Sequence, residues 1–538
     1  MNPSHRTLLL WAALLTGATL PTAQRTLRSH ASPTGGNSFF GRAVEGLGDV
    51  DGDGRADYAI SGNGVTLGGN GAGSVRAFSG ATGTLLWTAN GTGSWVPCGS
   101  SGGTTGDFFG FDIERVPDFD NDGIDDLAVG APFTGVVNGG CRVPNFGQVR
   151  VLSGATGATL LTTLGPNAED FYGTVIKRVP DMLFDGVDEY LVRASTFVDV
   201  IDGATGQVFV RLPLASGDST VCGAGDFDGD GLPWEIAIGN PGTASVSIVN
   251  VLLGPVKVFK GPAGSQFGTA LEFVSKDKVL IGAPGESSNA GAVYLLQPGS
   301  DANALTRISL GQTASMLGSS LSFGGNADLD GLPNDVLAGA PGNNSIRLMT
   351  LAGSLIQDVT GTTAGTFGNA VDWVGGIILN GFDEIVVGDA GAPGATGTSG
   401  NADVLFGGPA TSLNQNFGPG CNPSGGPVPT ITQSTGLRPG GTYTISLTGA
   451  PAFAQGTLAL GMASSTGISV PPCRIWMSPT FQPITVGTIF TNFNGNWSSA
   501  VLNIPFDPNL IGLPIAHQAA IFGASLVFTN ATASTIGW

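Results

Sequence analysis

Acidic residues fall at relative positions 1, 3, 5 and 9 of Asp49-Val50-Asp51-Gly52-Asp53-Gly54-Arg55-Ala56-Asp57, with glycine at position 6. This donor set suits a hard cation such as calcium, which takes about 6–8 oxygen ligands, and the glycine permits the sharp turn that folds a loop around it. Asp118, Asp120, Asp122 and Asp126 repeat the pattern. Asp226, Asp228 and Asp230 repeat it with Glu235 one residue late, and Asn326, Asp328 and Asp330 do so with Asp335. One copy reads equally well as a solvated acidic turn; four in matching places predict about four calcium ions per chain. An EF-hand opens in the same way but needs glutamate at position 12 and a helix on each side. Position 12 here is Ile60 or Val129, inside short apolar runs bounded by glycine and proline that read as strands. The loops are therefore expected between strands.

The elements that must hold them form a repeat. Each acidic loop runs into an apolar segment, as in Leu127-Ala128-Val129-Gly130-Ala131-Pro132, and the column has seven members, the last being Ile385-Val386-Val387-Gly388. Upstream lies an aromatic-glycine column: Phe40-Gly41, Phe109-Gly110, Tyr172-Gly173, Phe267-Gly268 and Phe367-Gly368, with Leu317-Gly318 and Cys222-Gly223 as weaker members. The spacing falls in the range of propeller blades.

Together these residues resemble FG-GAP repeats, the unit of the integrin alpha-subunit propeller. The resemblance covers residues 24–408 and implies an all-β, seven-bladed β-propeller with calcium in the hairpin between strands 1 and 2 of a blade. Blades 1, 2, 4 and 6 keep that loop. Blade 3 has shrunk to Asp181, Asp185, Asp188 and Glu189, with Leu183 at a ligand position; blade 5 carries Lys278 at the final-acid position; blade 7 keeps only Asp383 and Glu384. Those three depart from the pattern, and the resemblance leaves calcium there open. Thr26-Leu27-Arg28-Ser29 precedes the first Phe-Gly much as Leu160 to Thr163 precedes Tyr172, so the N-terminal segment is expected to form the outer strand of the last blade and close the ring. After Pro409 the texture changes, and regular short strands over 409–538 predict a small β-sandwich domain.

Composition bounds the setting. The chain has 538 residues, 88 of them glycine, with 11% charged and 41% hydrophobic, which suits many short strands and tight turns. The net charge of −19 argues against nucleic acid as partner. His5 and Arg6, followed by the apolar run Thr7 to Leu15, have the layout of a secretory signal peptide over residues 1–23. The expected address is secreted or cell-surface, with no transmembrane segment in the mature chain. Five cysteines in an exported chain suggest two disulfides; position favours Cys98–Cys141 and Cys421–Cys473, leaving Cys222 as a buried thiol.

In such blades the acidic hairpins share one face with the 3–4 turns, and the long 2–3 and inter-blade loops lie on the other, carrying Cys98, Cys141, Trp95, Phe133 and Phe146. Long loops on a rigid scaffold are where binding usually resides. The turns Ser79-Gly80-Ala81-Thr82-Gly83, Ser153 to Gly157 and Asp202 to Gly206 resemble the docking turn of quinoprotein propellers, the first of them leading to Trp87, and read best as structural. The favoured function is an adhesion, binding or surface-scaffold module for an extracellular protein or glycan. The alternative is a propeller enzyme, quinoprotein-like or a glycosidase. Against it stand only three histidines and clustered acids already committed to loops.

Overall fold

The computed structural model describes residues 26–405 except 34–36, 65–70, 93–96, 99–105, 139–140, 276, 298–304, 329–331, 363, 378–381 and 395–396. Beyond 405 it describes residues 414–417, 430–433, 442–443, 445–448, 450, 455–470, 473–477, 484–490, 496–498, 502–503, 514–522, 527–528 and 531–535. Residues 26–405 form seven four-stranded antiparallel sheets, the blades of a propeller. Blade 1 is Phe40–Gly48, Asp57–Gly62, Ser74–Phe78 and Leu85–Asn90, from axis to rim. Blade 2 is Ile113–Val116, Asp126–Ala131, Gln148–Leu152 and Thr159–Leu164, and blades 3 to 6 follow the same order.

The sequence columns explain how the blades stack. Second strands such as Asp57–Gly62 and Asp126–Ala131 are buried at every residue, because both faces of a blade pack on neighbours. Outer strands such as Thr159–Leu164 alternate between exposed and half-buried. The aromatic of each Phe-Gly pair is buried between blades, Phe40, Phe109, Tyr172, Phe267 and Phe367 being at most 2% exposed. Its glycine meets the Gly-Ala-Pro glycine of the preceding blade. Gly173 has φ +91°, and a Cβ on Gly130 would lie 2.0 Å from the Gly173 carbonyl oxygen. The same contact recurs from Gly282 to Gly318, from Gly339 to Gly368 and from Gly388 to Gly41. Two glycine columns are thus one backbone-to-backbone seam, repeated around the ring.

Closure is as the N-terminal segment implied. Thr26–Ala31 is the outer strand of blade 7, antiparallel to Asn401–Leu405, with Glu384–Asp389 and Ala370–Gly375 inside it. Arg28 donates to the carbonyls of Gly80 and Ala81 in the 3–4 turn of blade 1. His30 Nε2 lies 2.7 Å from the Tyr58 hydroxyl. Outer strands reach the next blade's turn elsewhere too: Trp87 donates its indole N–H to the Gly154 carbonyl at 2.8 Å, and Leu161 lies against Gly206. The serine-glycine-alanine-threonine-glycine turns are therefore docking points between blades.

Beyond Leu405 the described strands are antiparallel. Gln455–Val470 pairs with Pro514–Phe522, with Ile484–Phe490 and with Cys473–Met477. The sheet-on-sheet packing that a sandwich requires, and the Cys421–Cys473 pairing, fall outside the described residues. Among the described residues, no helix is long and apolar enough to cross a membrane.

Candidate metal hairpins and the opposite face

Each acidic loop joins the first and second strands of its blade, where two antiparallel strands must be reversed. In blade 1 the chain does this with Gly52 at φ +77° and Gly54 at φ +85°. Asn121 and Gly123 take the same two places in blade 2, Gly229 and Gly231 in blade 4. Blade 3 keeps the template with Phe184 at φ +59° and Gly186 at φ +89°, although a bulky residue in the left-handed region is strained. The loop then folds its amides onto its own aspartates. Asp49 accepts the N–H groups of Gly52, Asp53 and Gly54 at 2.8–3.0 Å, and Asp51 accepts that of Asp53 at 3.1 Å. Asp118 accepts those of Asp122 and Gly123, and Asp230 accepts that of Leu232.

The result is a cluster of carboxylate oxygens lying within 4.8 Å of one another. Asp49, Asp51 and Asp53 form one such cluster, Asp118, Asp120 and Asp122 a second, and Asp226, Asp228 and Asp230 a third. Blade 3 supplies a fourth from Asp181, Asp185 and Glu189, although its loop lacks the position-3 acid. In blade 6, Asn326 is half-buried and Asp328 exposed, while Asp330 lies outside the described residues. Blade 5 replaces the loop with a short turn, Ser275 pairing with Lys278, which is partly exposed.

The last acid of the loop, at position 9 in blades 1, 2, 3 and 7 and at position 10 in blades 4 and 6, is buried, and in blade 3 it also joins the cluster. Asp57, Asp126, Glu189, Glu235, Asp335 and Glu384 are all 0% exposed. Each accepts the N–H of the loop's second residue from beneath: Val50 to Asp57 at 2.8 Å, Phe119 to Asp126 at 2.7 Å, Phe227 to Glu235 at 3.0 Å, Ala327 to Asp335 at 2.7 Å and Ile377 to Glu384 at 2.8 Å, with Met182 to Glu189 alike. The other oxygen reaches the 3–4 side of the same blade, from Gly80 N–H to Asp57 at 2.7 Å, from Gly154 N–H to Asp126 at 3.0 Å, and from Asn250 Nδ2 to Glu235 at 2.6 Å. Blade 7 keeps the hairpin bond, from Ile377 N–H to Glu384, without an acid cluster among the described residues. The buried acid therefore ties hairpin to turn in blades 1 and 2 and hairpin to third strand in blade 4, and its hairpin bond persists in blade 7 without a cluster. Burial raises these carboxyls, against the pull of the backbone hydrogen bonds: Asp57 above its usual range, Asp126 to about 6, Glu189 and Glu235 to about 7.

On the opposite face, Cys98 and Cys141 are joined by a disulfide, as the face assignment implied, and Cys222 is a buried free thiol. Phe133 packs its ring 4.9 Å from Phe108 and 5.5 Å from Phe171, linking blades 1 to 3. The Phe146 carbonyl receives the Tyr172 N–H at 3.2 Å. Trp95 lies outside the described residues. The sequence named the blade-3 acids but left their role open, because Leu183 interrupts a loop whose glycine and first, fifth and ninth acids are intact.

Residues 114–152, which hold most of the inner strand, the hairpin and the next two strands of blade 2, match the family model of the FG-GAP repeat. No curated protein matches the chain.

Proposed function

We propose that this FG-GAP-repeat propeller is an exported, calcium-stabilised scaffold that presents a binding surface on the face opposite its metal hairpins. The observation that carries the reading is the convergence of three carboxylates in each of the hairpins of blades 1, 2, 3 and 4. Carboxylate oxygens brought this close repel one another unless a cation sits among them, and an all-oxygen donor set in a flexible loop suits calcium better than a softer metal. Asp49, Asp51 and Asp53 would hold the ion in blade 1; Asp118, Asp120 and Asp122 in blade 2; Asp226, Asp228 and Asp230 in blade 4. Asn326, Asp328 and Asp330 would do so in blade 6.

The opposite face has the other qualities of a binding module: long loops, a disulfide clamp and a line of phenylalanines at blades 1 to 3. Its ligand would be an extracellular protein or glycan. Residues 409–538 would form a separate small β-sandwich domain. The test is calcium content by elemental analysis, with melting measured in calcium and in chelator. Three to five ions per chain and a higher melting temperature in calcium are expected. No bound calcium at millimolar concentration, with identical melts, would overturn the reading. Glycan and protein arrays probed before and after reduction of Cys98–Cys141 then address the binding face.

A further inference from the structure

The seven innermost strands leave one free edge each, facing the axis. Five residues after the aromatic position these strands carry Glu45, Glu114, Lys177, Glu272, Ser322 and Asp372 in blades 1, 2, 3, 5, 6 and 7; Cys222, pairing with Ala237 as Glu45 pairs with Ala59, stands at this place in blade 4 and not, as its sequence suggested, in the aromatic column. The acids cap the next blade's edge. Asp372 accepts the Gly46 N–H at 2.8 Å, Glu45 that of Arg115 at 3.0 Å, Glu114 that of Arg178 at 2.9 Å, and Asp112 that of Ile176 at 2.8 Å. The run breaks at blade 3. There the Lys177 ammonium stands 3.3 Å from Glu114 and 3.4 Å from Glu272, bridging the axis. Cavities of about 300 and 350 Å³ lie on either side, and Glu45, Lys177, Glu272 and Asp372 line both.

Five carboxylates thus share one ammonium. Arg115 and Arg178 are turned away, the first reaching Asp125 and the second pairing with Asp125 and Asp188, while Arg42 lies over the Phe111 ring at the edge of one cavity and opposes the rise of Asp112. Asp383 adds a carboxylate on the hairpin side, and Cys222 gives its thiol hydrogen to the Gly223 carbonyl. Like charges gathered at half-buried positions around shared cavities do not all ionise at neutral pH.

We propose that this axial cluster is a proton-linked lock on the ring, which binds protons as the medium acidifies and holds the blades more tightly protonated than ionised. Burial, then the neighbouring carboxylates, raise Glu45; burial takes Asp112 to about 6 and Glu272 to about 7 and raises Asp372 as well. Burial opposes the Lys177 charge, but Glu114, Glu272, Asp112 and Glu45 outweigh it and hold the ammonium above its ordinary value. A carboxyl whose folded pKa exceeds its unfolded value of about 4 adds stability that is complete below that value and is lost as pH rises through the folded one. The loss therefore runs from about pH 4, the unfolded value, to about pH 6 for Asp112 and about pH 7 for Glu272.

The full chain, saturated with calcium so that the hairpins stay filled, is melted at pH 5.5 and pH 8 as wild type, Glu272→Gln and Lys177→Met. Glu272→Gln keeps the shape and removes a charge: it is expected to melt a few degrees above wild type at pH 8 and by a clearly smaller margin at pH 5.5. Lys177→Met, which strands the carboxylates, is expected to lose several degrees at pH 8 and markedly less at pH 5.5. Variant-minus-wild-type differences that do not change with pH would overturn the proposal. Should Lys177→Met fail to fold, Glu272→Gln alone decides, since a structural hydrogen-bond role would lower its melting temperature at both pH values.

Discussion

The sharpest test concerns the buried acid beneath each hairpin. Asp57→Ala strands the N–H groups of Val50, Asp51 and Gly80, now 2.8, 3.2 and 2.7 Å from its oxygens. A buried donor left unsatisfied costs about 1–3 kcal/mol. The long Asp51 bond adds little, so the loss centres on about 4 kcal/mol. For a ring of this size that corresponds to a fall of roughly 4–8 °C in melting temperature. The loss is expected equally in calcium and in chelator, because the bonds are to backbone. Asp53→Ala supplies the contrast. Its side chain is exposed and receives only the Arg55 N–H at the surface. In chelator it is expected to lie within about 0.5–1 kcal/mol of wild type, while its calcium-dependent gain shrinks by the blade-1 share. Differential scanning calorimetry with and without chelator reads both. If Asp57→Ala matched wild type in chelator and lost only the calcium gain, the tie between hairpin and turn would be refuted and Asp57 would be an ion ligand alone.

Three more expectations follow the same logic. Glu384→Ala in blade 7 should destabilise the chain by about 2–3 kcal/mol with no change in calcium stoichiometry, measured by melts and elemental analysis. Trp87→Ala, which removes a 7%-exposed indole and its bond to Gly154, should cost about 3–5 kcal/mol in chemical denaturation. Calcium affinity followed by titration calorimetry should weaken from pH 7.5 to 5.5. Asp126 and Glu235 have raised folded pKa values of about 6 and 7, so they take up protons over that range and lose the negative charge that favours the ion.

The ring was legible because its constraints are local and repeated. Gly130 and Gly173 are forced by a backbone seam that admits no side chain, so they stand out as columns of glycine in the text of the chain. Closure by Thr26–Ala31 was legible from register alone, since that segment precedes Phe40 as other outer strands precede their own aromatic. The double duty of acids was not. Asp53 and Asp57 are the same residue type four positions apart, and only the paths of Val50 and Gly80 show that one faces solvent and the other holds a turn. The axial cluster was hidden for a related reason. Glu45, Lys177, Glu272 and Asp372 share one column of the repeat, five residues after the aromatic, but that column mixes acids with lysine, serine and cysteine, and only the ring geometry shows that it faces a common axis.

The way the ring is fastened sets how it resists force. Thr26 pairs with Leu405 and Ala31 with Asn401, so the two backbones leave their shared ladder at the same end. Tension applied between those two exits loads the rungs one after another, as in drawing a zip, instead of all at once. Arg28, gripping the neighbouring turn, and His30, against Tyr58, are the stops that a pulling experiment would meet first.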